Sequence, residues 1–179
     1  MKNQAGFTLM ELITVVSIVG ILAAVGTPTY KYVTTSNRIA SEVNGLLGDF
    51  QFARSQAIKE GQYVTVCATN GGTTCTNANW ELGWMVFLDT NNNHIVDAGE
   101  AVIRIQPAFG GTDSFVPSPA PYWYATFNRM GYAPTGVPTT INIQLHDATN
   151  NHQWTRCLAI NPIGSAVTVK YGAGATPCT

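Results

Sequence analysis

Glu11 is the single charge in an apolar run from Phe7 to Gly26. About 20 apolar residues rising ~1.5 Å each cross the ~30 Å hydrocarbon layer of a bilayer. A carboxylate at the centre of such a helix costs roughly 2.5–3.5 kcal/mol, less near its end. It is a functional residue by default, and its partner should be sought. No basic side chain lies between Lys2 and Lys31. Cutting the chain after Gly6 supplies the missing cation, the α-amine of Phe7, one helical turn from Glu11. Within one chain the two charges stand at i, i+4. On staggered neighbouring chains the same charges meet in a low-dielectric core and set the register.

The second constellation is Asp89-Thr-Asn91-Asn-Asn93-His94-Ile95-Val-Asp97-Ala-Gly-Glu100. Oxygen-bearing side chains fall at positions 1, 3, 5, 9 and 12 of a calcium loop, and the Ile95 carbonyl fills position 7. His94 stands where such loops carry glycine, and Asn91 and Asn93 lower the ligand charge, so any calcium binding is expected to be weak. The competing reading is an Asn-rich hairpin loop capped by its own side chains. The absence of flanking helices favours that second reading.

Cys67, Cys75, Cys157 and Cys178 all follow the apolar run. If that run is a membrane anchor, they lie in an oxidising compartment, where an even count favours disulfides. Three pairings are open. Cys67–Cys75 and Cys157–Cys178 are preferred because each closes a short loop. A metal site is disfavoured, since there is no CxxC pair. His94, His146 and His152 fall in loops or at strand ends, no serine sits in a G-x-S-x-G elbow, and no phosphate-binding glycine loop opens a helix, so the chain does not read as an enzyme. Pro119–Tyr124 reads as strand packing before it reads as an adhesive surface.

The chain has 179 residues, a formal net charge of −1 and only 11% charged residues. That length accommodates one domain beyond the apolar run, and so little charge creates no strong field to steer an acidic partner. Ile39, Val43, Leu46, Leu47, Phe50, Ala53, Ala57 and Ile58 recur at helical spacing, with Arg38, Glu42, Asp49 and Lys59 mainly on the other side. Pro28 removes one backbone donor and is expected to kink the helix without stopping it, and Gly61 stops it. One helix is therefore predicted over residues 7–60. Strands are predicted at Gln62–Ala68, Gly83–Leu88, Ala101–Gln106, Tyr122–Asn128, Thr139–His146, Gln153–Ile160 and Ala166–Tyr171. The last three form consecutive antiparallel hairpins. Residues 107–121, rich in Pro and Gly, are predicted to be loop, and Gly131–Pro138 a turn region.

Gly6-Phe7-Thr8-Leu9-Met10-Glu11-Leu12 resembles the class III signal peptide of type IV pilins and type II secretion pseudopilins. Within that superfamily the chain is most similar to the GspH/FimT (FimU-like) group of minor pilins and minor pseudopilins. Phe52-Ala53-Arg54-Ser55-Gln56-Ala57 resembles the group's helix motif, with Gln56 in place of the usual Glu. Gly83-Trp84-Met85-Val86-Phe87-Leu88-Asp89 and the loop ending Asp97-Ala98-Gly99-Glu100 resemble its strand-and-loop segment.

The resemblance implies an α+β type IV pilin fold, a long N-terminal helix packed on an antiparallel sheet or sandwich. The expected division is a leader, 1–6, a transmembrane half-helix, 7–27, an amphipathic half-helix, 28–61, and a periplasmic β-rich domain, 62–179. The resemblance further implies cleavage between Gly6 and Phe7 by a prepilin peptidase, N-methylation of Phe7, and a Glu11 that recruits the subunit by contacting its neighbour's N-terminus. The implied place is the inner membrane first and the filament afterwards, and the implied partners are other minor pilins and the major pilin. The function expected is that of a structural subunit priming a type IV pilus, with three alternatives: a secretion pseudopilin, a DNA-binding pilin and a calcium-stabilised adhesive tip. DNA-binding members carry Gly-Arg-x-Arg where this chain has Gly164-Ser165-Ala166-Val167. Both arginines are missing, and Arg104, Arg129, Arg156 and Lys170 are dispersed.

Overall fold

The computed structural model describes residues 6–76, 79–118, 122–133, 140–173 and 178. Parts of five sequence-predicted features fall outside them: the leader, the 107–121 loop, the Pro119–Tyr124 stretch, the Gly131–Pro138 turn region and the first residue of the Thr139–His146 strand. The first element is α1 (Leu9–Glu60). Between Asn37 and Arg38 the molecule divides into two compact units.

In the first unit α1 exposes its apolar side chains, among them Leu12, Val16, Ile21 and Leu22. It is long and apolar enough to cross a membrane. Four of its side-chain hydroxyls bond back to carbonyls of the same helix. Thr14 donates to the Glu11 carbonyl, Ser17 to Ile13, Thr27 to Ala23 and Thr29 to Val25. Such back-bonding pairs each of these four hydroxyl protons, as hydrocarbon requires. Pro28 lies within the helix, flanked by the back-bonded Thr27 and Thr29.

In the second unit, the predicted face of α1 is the core face. Ile39, Val43, Leu46, Phe50, Ala53 and Ala57 are buried, whereas Ile58, predicted to join them, is exposed. Gly61 follows the last turn at φ +66, the left-handed conformation that ends helices at low cost for glycine. The remaining elements are β1 (Val64–Ala68), a short 3-10 turn at Trp80–Leu82, β2 (Gly83–Leu88), β3 (Val102–Pro107), β4 (Ser114–Ser118), β5 (Tyr124–Phe127), β6 (Ile141–His146), β7 (Arg156–Ile160) and β8 (Ala166–Lys170).

They form two antiparallel four-stranded sheets, ordered β3-β2-β1-β5 and β4-β6-β7-β8. Val64, Val66, Trp84, Val86 and Phe127 of the first sheet share one core with Ile143, Leu145, Leu158 and Ile160 of the second and with α1. The back of the first sheet has its own small core, where Cys67, Met85 and Phe87 pack under Cys75, Val96, Trp123 and Tyr124. Both faces of β1 are consequently buried.

β4 corrects the loop predicted over 107–121. It carries Pro117 and pairs only with β6, as an edge strand. An edge needs ladder donors on one side only, so a proline that rules out a central strand is tolerated there.

Candidate functional site

Thr8 precedes α1, and its Oγ1 accepts the Glu11 N–H at 3.2 Å. Thr8 is thus the N-cap and Glu11 stands at the third helical position, the S/T-x-x-E spacing of a capping box. A carboxylate there also faces the positive end of the helix dipole. The Thr8-x-x-Glu11 spacing alone carries this second reason for an acid at position 11. Gly6 and Phe7 are exposed ahead of the cap, where a new amine at Phe7 would lie beside the same helix end.

The Asp89 loop folds as a self-capped turn. Asp89 is fully buried and accepts hydrogen bonds from Thr65 Oγ1 at 2.7 Å, from the Asn93 N–H at 3.0 Å and from the His94 N–H at 3.1 Å. Asn91 Oδ1 accepts the Asn93 N–H, Asn93 Oδ1 accepts the Ile95 N–H, and both amides donate to Asp97 Oδ2. Glu100 accepts from the Thr90 N–H and Oγ1 and from the Asp97 N–H. His94, in the glycine position of a calcium loop, adopts φ +63. Its ring stacks on Tyr124 at 3.9 Å and its Nδ1 lies 3.1 Å from Thr126 Oγ1. The residues singled out for calcium are therefore brought together, and their oxygens are turned on the loop's own donors. Among the described residues no group of three or more His, Cys, Asp or Glu stands in a metal-holding arrangement.

Cys67 is bonded to Cys75 and Cys157 to Cys178. The first link ties the turn after β1 to the back of its sheet, and the second ties the tail residue Cys178 to β7.

Two of the basic residues, Arg38 and Arg104, are engaged by acids. Arg38 makes a bidentate contact with Asp113, Nε to Oδ2 at 2.6 Å and an amino nitrogen to Oδ1 at 2.7 Å. Arg104 pairs with Asp49 and lies over the Phe52 ring at 4.1 Å. Arg156 and Lys170 are cross-strand partners. Gly164, at the start of the segment compared with Gly-Arg-x-Arg, serves packing. It sits at φ +80, and a Cβ there would lie 1.9 Å from the Gly131 carbonyl oxygen.

Two acids expected on the solvent side of α1 are buried, Glu42 and Asp49. Asp49 accepts from Arg104 and from Trp84. Glu42 lies beside Asp113, and its carboxyl is pushed up to about 7, first by burial and then by the Asp113 charge. Helical periodicity alone does not flag either residue, because the groups beside them, Asp113, Trp84 and Arg104, are distant in sequence.

The family model described as type II transport protein GspH matches residues 42–164. The chain belongs to the GspH family. A second model, the prokaryotic N-terminal methylation motif, matches residues 1–27 of this GspH-family chain. A fimbrial protein of Pseudomonas aeruginosa is 43% identical over 72 residues, 38% of this chain and 44% of its own. The type IV major alpha-pilin of Moraxella bovis is 41% identical over 63 residues, 35% of this chain and 38% of its own. The chain spans less than half the length of the curated relatives it matches. The crystal structure of the type IV minor pilin FimU from Pseudomonas aeruginosa superimposes with a TM-score of 0.57 at 20% identity, covering 74% of this chain and 89% of that one. The fold is thus the type IV pilin fold: one long apolar N-terminal helix and antiparallel sheets.

Proposed function

We propose that this GspH-family chain is a minor pilin, a non-enzymatic structural subunit that primes and joins a type IV pilus, within or next to its tip complex. The observation that carries this is Glu11, an acid in the first turn of an apolar helix whose N–H is capped by Thr8, one turn from the Gly6–Phe7 bond. In this reading α1 holds the precursor in the inner membrane with the β-rich unit in the periplasm. A prepilin peptidase cuts between Gly6 and Phe7, and Phe7 is N-methylated. The new amine meets Glu11 of a neighbouring minor or major pilin as the helix leaves lipid. Neighbouring helices then bury the apolar face that the bilayer covered.

The matching family description, a type II transport protein, supports the pseudopilin of a secretion system as a second reading. It uses the same chemistry at Gly6, Phe7 and Glu11. Neutralisation of Arg38 and Arg104 by Asp113 and Asp49 speaks against DNA uptake. The deciding experiment is mass spectrometry of the mature chain recovered from filaments. An N-methylated Phe7 at the terminus is expected, and any other starting residue overturns the proposal.

A further inference from the structure

Two turns of the same build stand side by side in the second unit. One is Asn128-Arg129-Met130-Gly131-Tyr132, after β5, and the other is Asn161-Pro162-Ile163-Gly164-Ser165, between β7 and β8. In each, the asparagine N–H donates to the carbonyl four residues on, at 2.9 and 3.0 Å. The asparagine side-chain oxygen accepts the N–H of that same residue, at 3.0 and 2.9 Å. A left-handed glycine, at φ +77 and +80, donates its N–H back to the asparagine carbonyl. The Ala133 N–H donates to the Pro162 carbonyl at 3.1 Å and ties one turn to the other. The residue before each glycine is apolar and more than half exposed: Met130 in one, Ile163 in the other.

Arg54 of α1 lies against both turns. A Cβ on Gly131 would stand 3.0 Å from the Arg54 Nε, and one on Gly164 3.4 Å from it. Ile58, one helical turn on, is also more than half exposed, and its Cδ1 would lie 2.8 Å from a Cβ on Gly131. Arg54 is half-buried, yet among the described residues it makes no ion pair or hydrogen bond. Arg38 and Arg104, by contrast, each hold an acid. Turn tips favour polar residues, and an exposed apolar side chain there gains nothing from burial when the chain folds. Against a second protein the same arrangement is favourable. The hydrogen-bonded turns fix the apolar side chains beforehand, so little freedom is lost on binding. A guanidinium already partly out of water forms strong paired hydrogen bonds with a carboxylate, and interfaces concentrate arginine, methionine and tyrosine.

We propose that the twin turns, with Arg54 and Ile58, form a docking site for a neighbouring filament subunit, which presents a carboxylate to Arg54 and apolar side chains to Met130, Ile163 and Ile58. This rests on the pilin reading and adds to the Glu11 pairing a contact made by the β-rich unit. Arg129, in the first turn, is exposed and without an acid partner among the described residues, and it adds charge of the same sign. A second copy of this chain fits less well. Its Asp97 and Glu100 are engaged by donors of their own loop, and its Glu60 by Lys59.

The test uses the full chain in cells that assemble filaments, with p-benzoylphenylalanine in place of Met130. Sheared filaments are irradiated, and the cross-linked peptide is identified by mass spectrometry. A cross-link to a different subunit is expected, at a segment carrying Asp or Glu, with a yield that falls about tenfold or more in Arg54→Gln. Exchanging the charges, Arg54→Glu with the mapped acid changed to Arg, is expected to restore the yield. The same cross-linker at Ile95, exposed on the Asp89 loop, is the reference, and its yield is expected to ignore Arg54→Gln. Thermal unfolding of the full chain in detergent micelles checks that Arg54→Gln folds as the wild type does. The map from the chain with Arg54 intact stands whatever that variant does. A cross-linked segment without an acid, a cross-link to lipid or to a second copy, or no cross-link from a chain present in the filaments overturns the proposal. A chain absent from the filaments overturns the pilin reading itself, and the docking site with it.

Discussion

Trp84 on β2 donates its indole N–H to Asp49 Oδ2 on α1 at 2.7 Å, and both residues are buried. The other Asp49 oxygen takes Arg104 from β3, whose guanidinium lies over Phe52 of α1. One carboxylate thus gathers three elements: the helix, a central strand and the edge strand beside it. A buried charge with two charge-compatible donors is tolerated, whereas removing one donor leaves it partly unpaired.

The first prediction concerns that ladder. Trp84→Phe keeps most of the ring and loses the donor, and a hydrogen bond to a buried charge contributes about 1.5–3 kcal/mol. Trp84→Phe is expected to destabilise the protein by about 2–3 kcal/mol. Arg104→Ala is expected to cost less, about 1 kcal/mol, because Arg104 is half exposed and water replaces part of the contact. Urea unfolding of both variants in the same micelles checks the order.

A second prediction separates the two readings of the Asp89 loop. Asp89→Ala removes an acceptor from Thr65 Oγ1 and from two backbone N–H groups in a buried position. A loss of about 3 kcal/mol is expected, with or without chelator. Calcium is expected to leave the thermal midpoint of the wild type unchanged, since the loop oxygens are engaged by loop donors. A calcium-dependent rise abolished by Asp89→Ala would instead identify a binding site.

A third prediction uses two glycines with similar backbones. Gly164 at φ +80 and Gly172 at φ +71 both adopt left-handed conformations, but only Gly164 has a backbone carbonyl where a Cβ would go. Gly172→Ala is expected to cost about 1 kcal/mol from conformation alone. Gly164→Ala must also separate the Gly131 and Gly164 turns, and a loss of about 3 kcal/mol is expected. Thermal unfolding of the two variants measures the difference, and equal losses would show that the turns part freely.

The parts legible in the sequence are those where a short-range pattern has one physical solution. The helical recurrence from Ile39 to Ala57, the Gly61 stop and the apolar run Gly83–Leu88 all appear in the structure as read. β4 was not legible, because Pro117 and its Pro- and Gly-rich surroundings give a loop signal that only an edge position overrides. Glu42 and Asp49 were not legible either. A charged residue on an amphipathic helix reads as solvent-facing unless its partner is known, and Asp113 and Trp84 lie 71 and 35 positions away. At the N-terminus the reverse holds. The Thr8 cap, three residues before Glu11, is legible from the S/T-x-x-E spacing without any partner from elsewhere in the chain.

That cap shapes the last prediction, since alanine at Glu11 removes the charge and the capping-box side chain together. At the third helical position, Glu or Gln can reach back to the cap residue's N–H, while only Glu carries the charge that an amine on a neighbouring chain would meet. Glu11→Gln is therefore the informative variant. If the charge governs assembly, Glu11→Gln inserts in the membrane and is cleaved before Phe7, yet enters filaments as poorly as Glu11→Ala, by about tenfold or more for a pair worth about 1.4 kcal/mol in a low-dielectric core. If capping governs it, Glu11→Gln assembles like the wild type and only Glu11→Ala fails. Immunoblotting of sheared filaments against the membrane fraction reads both variants side by side. Normal incorporation of Glu11→Gln would remove the charge pairing from the assembly mechanism.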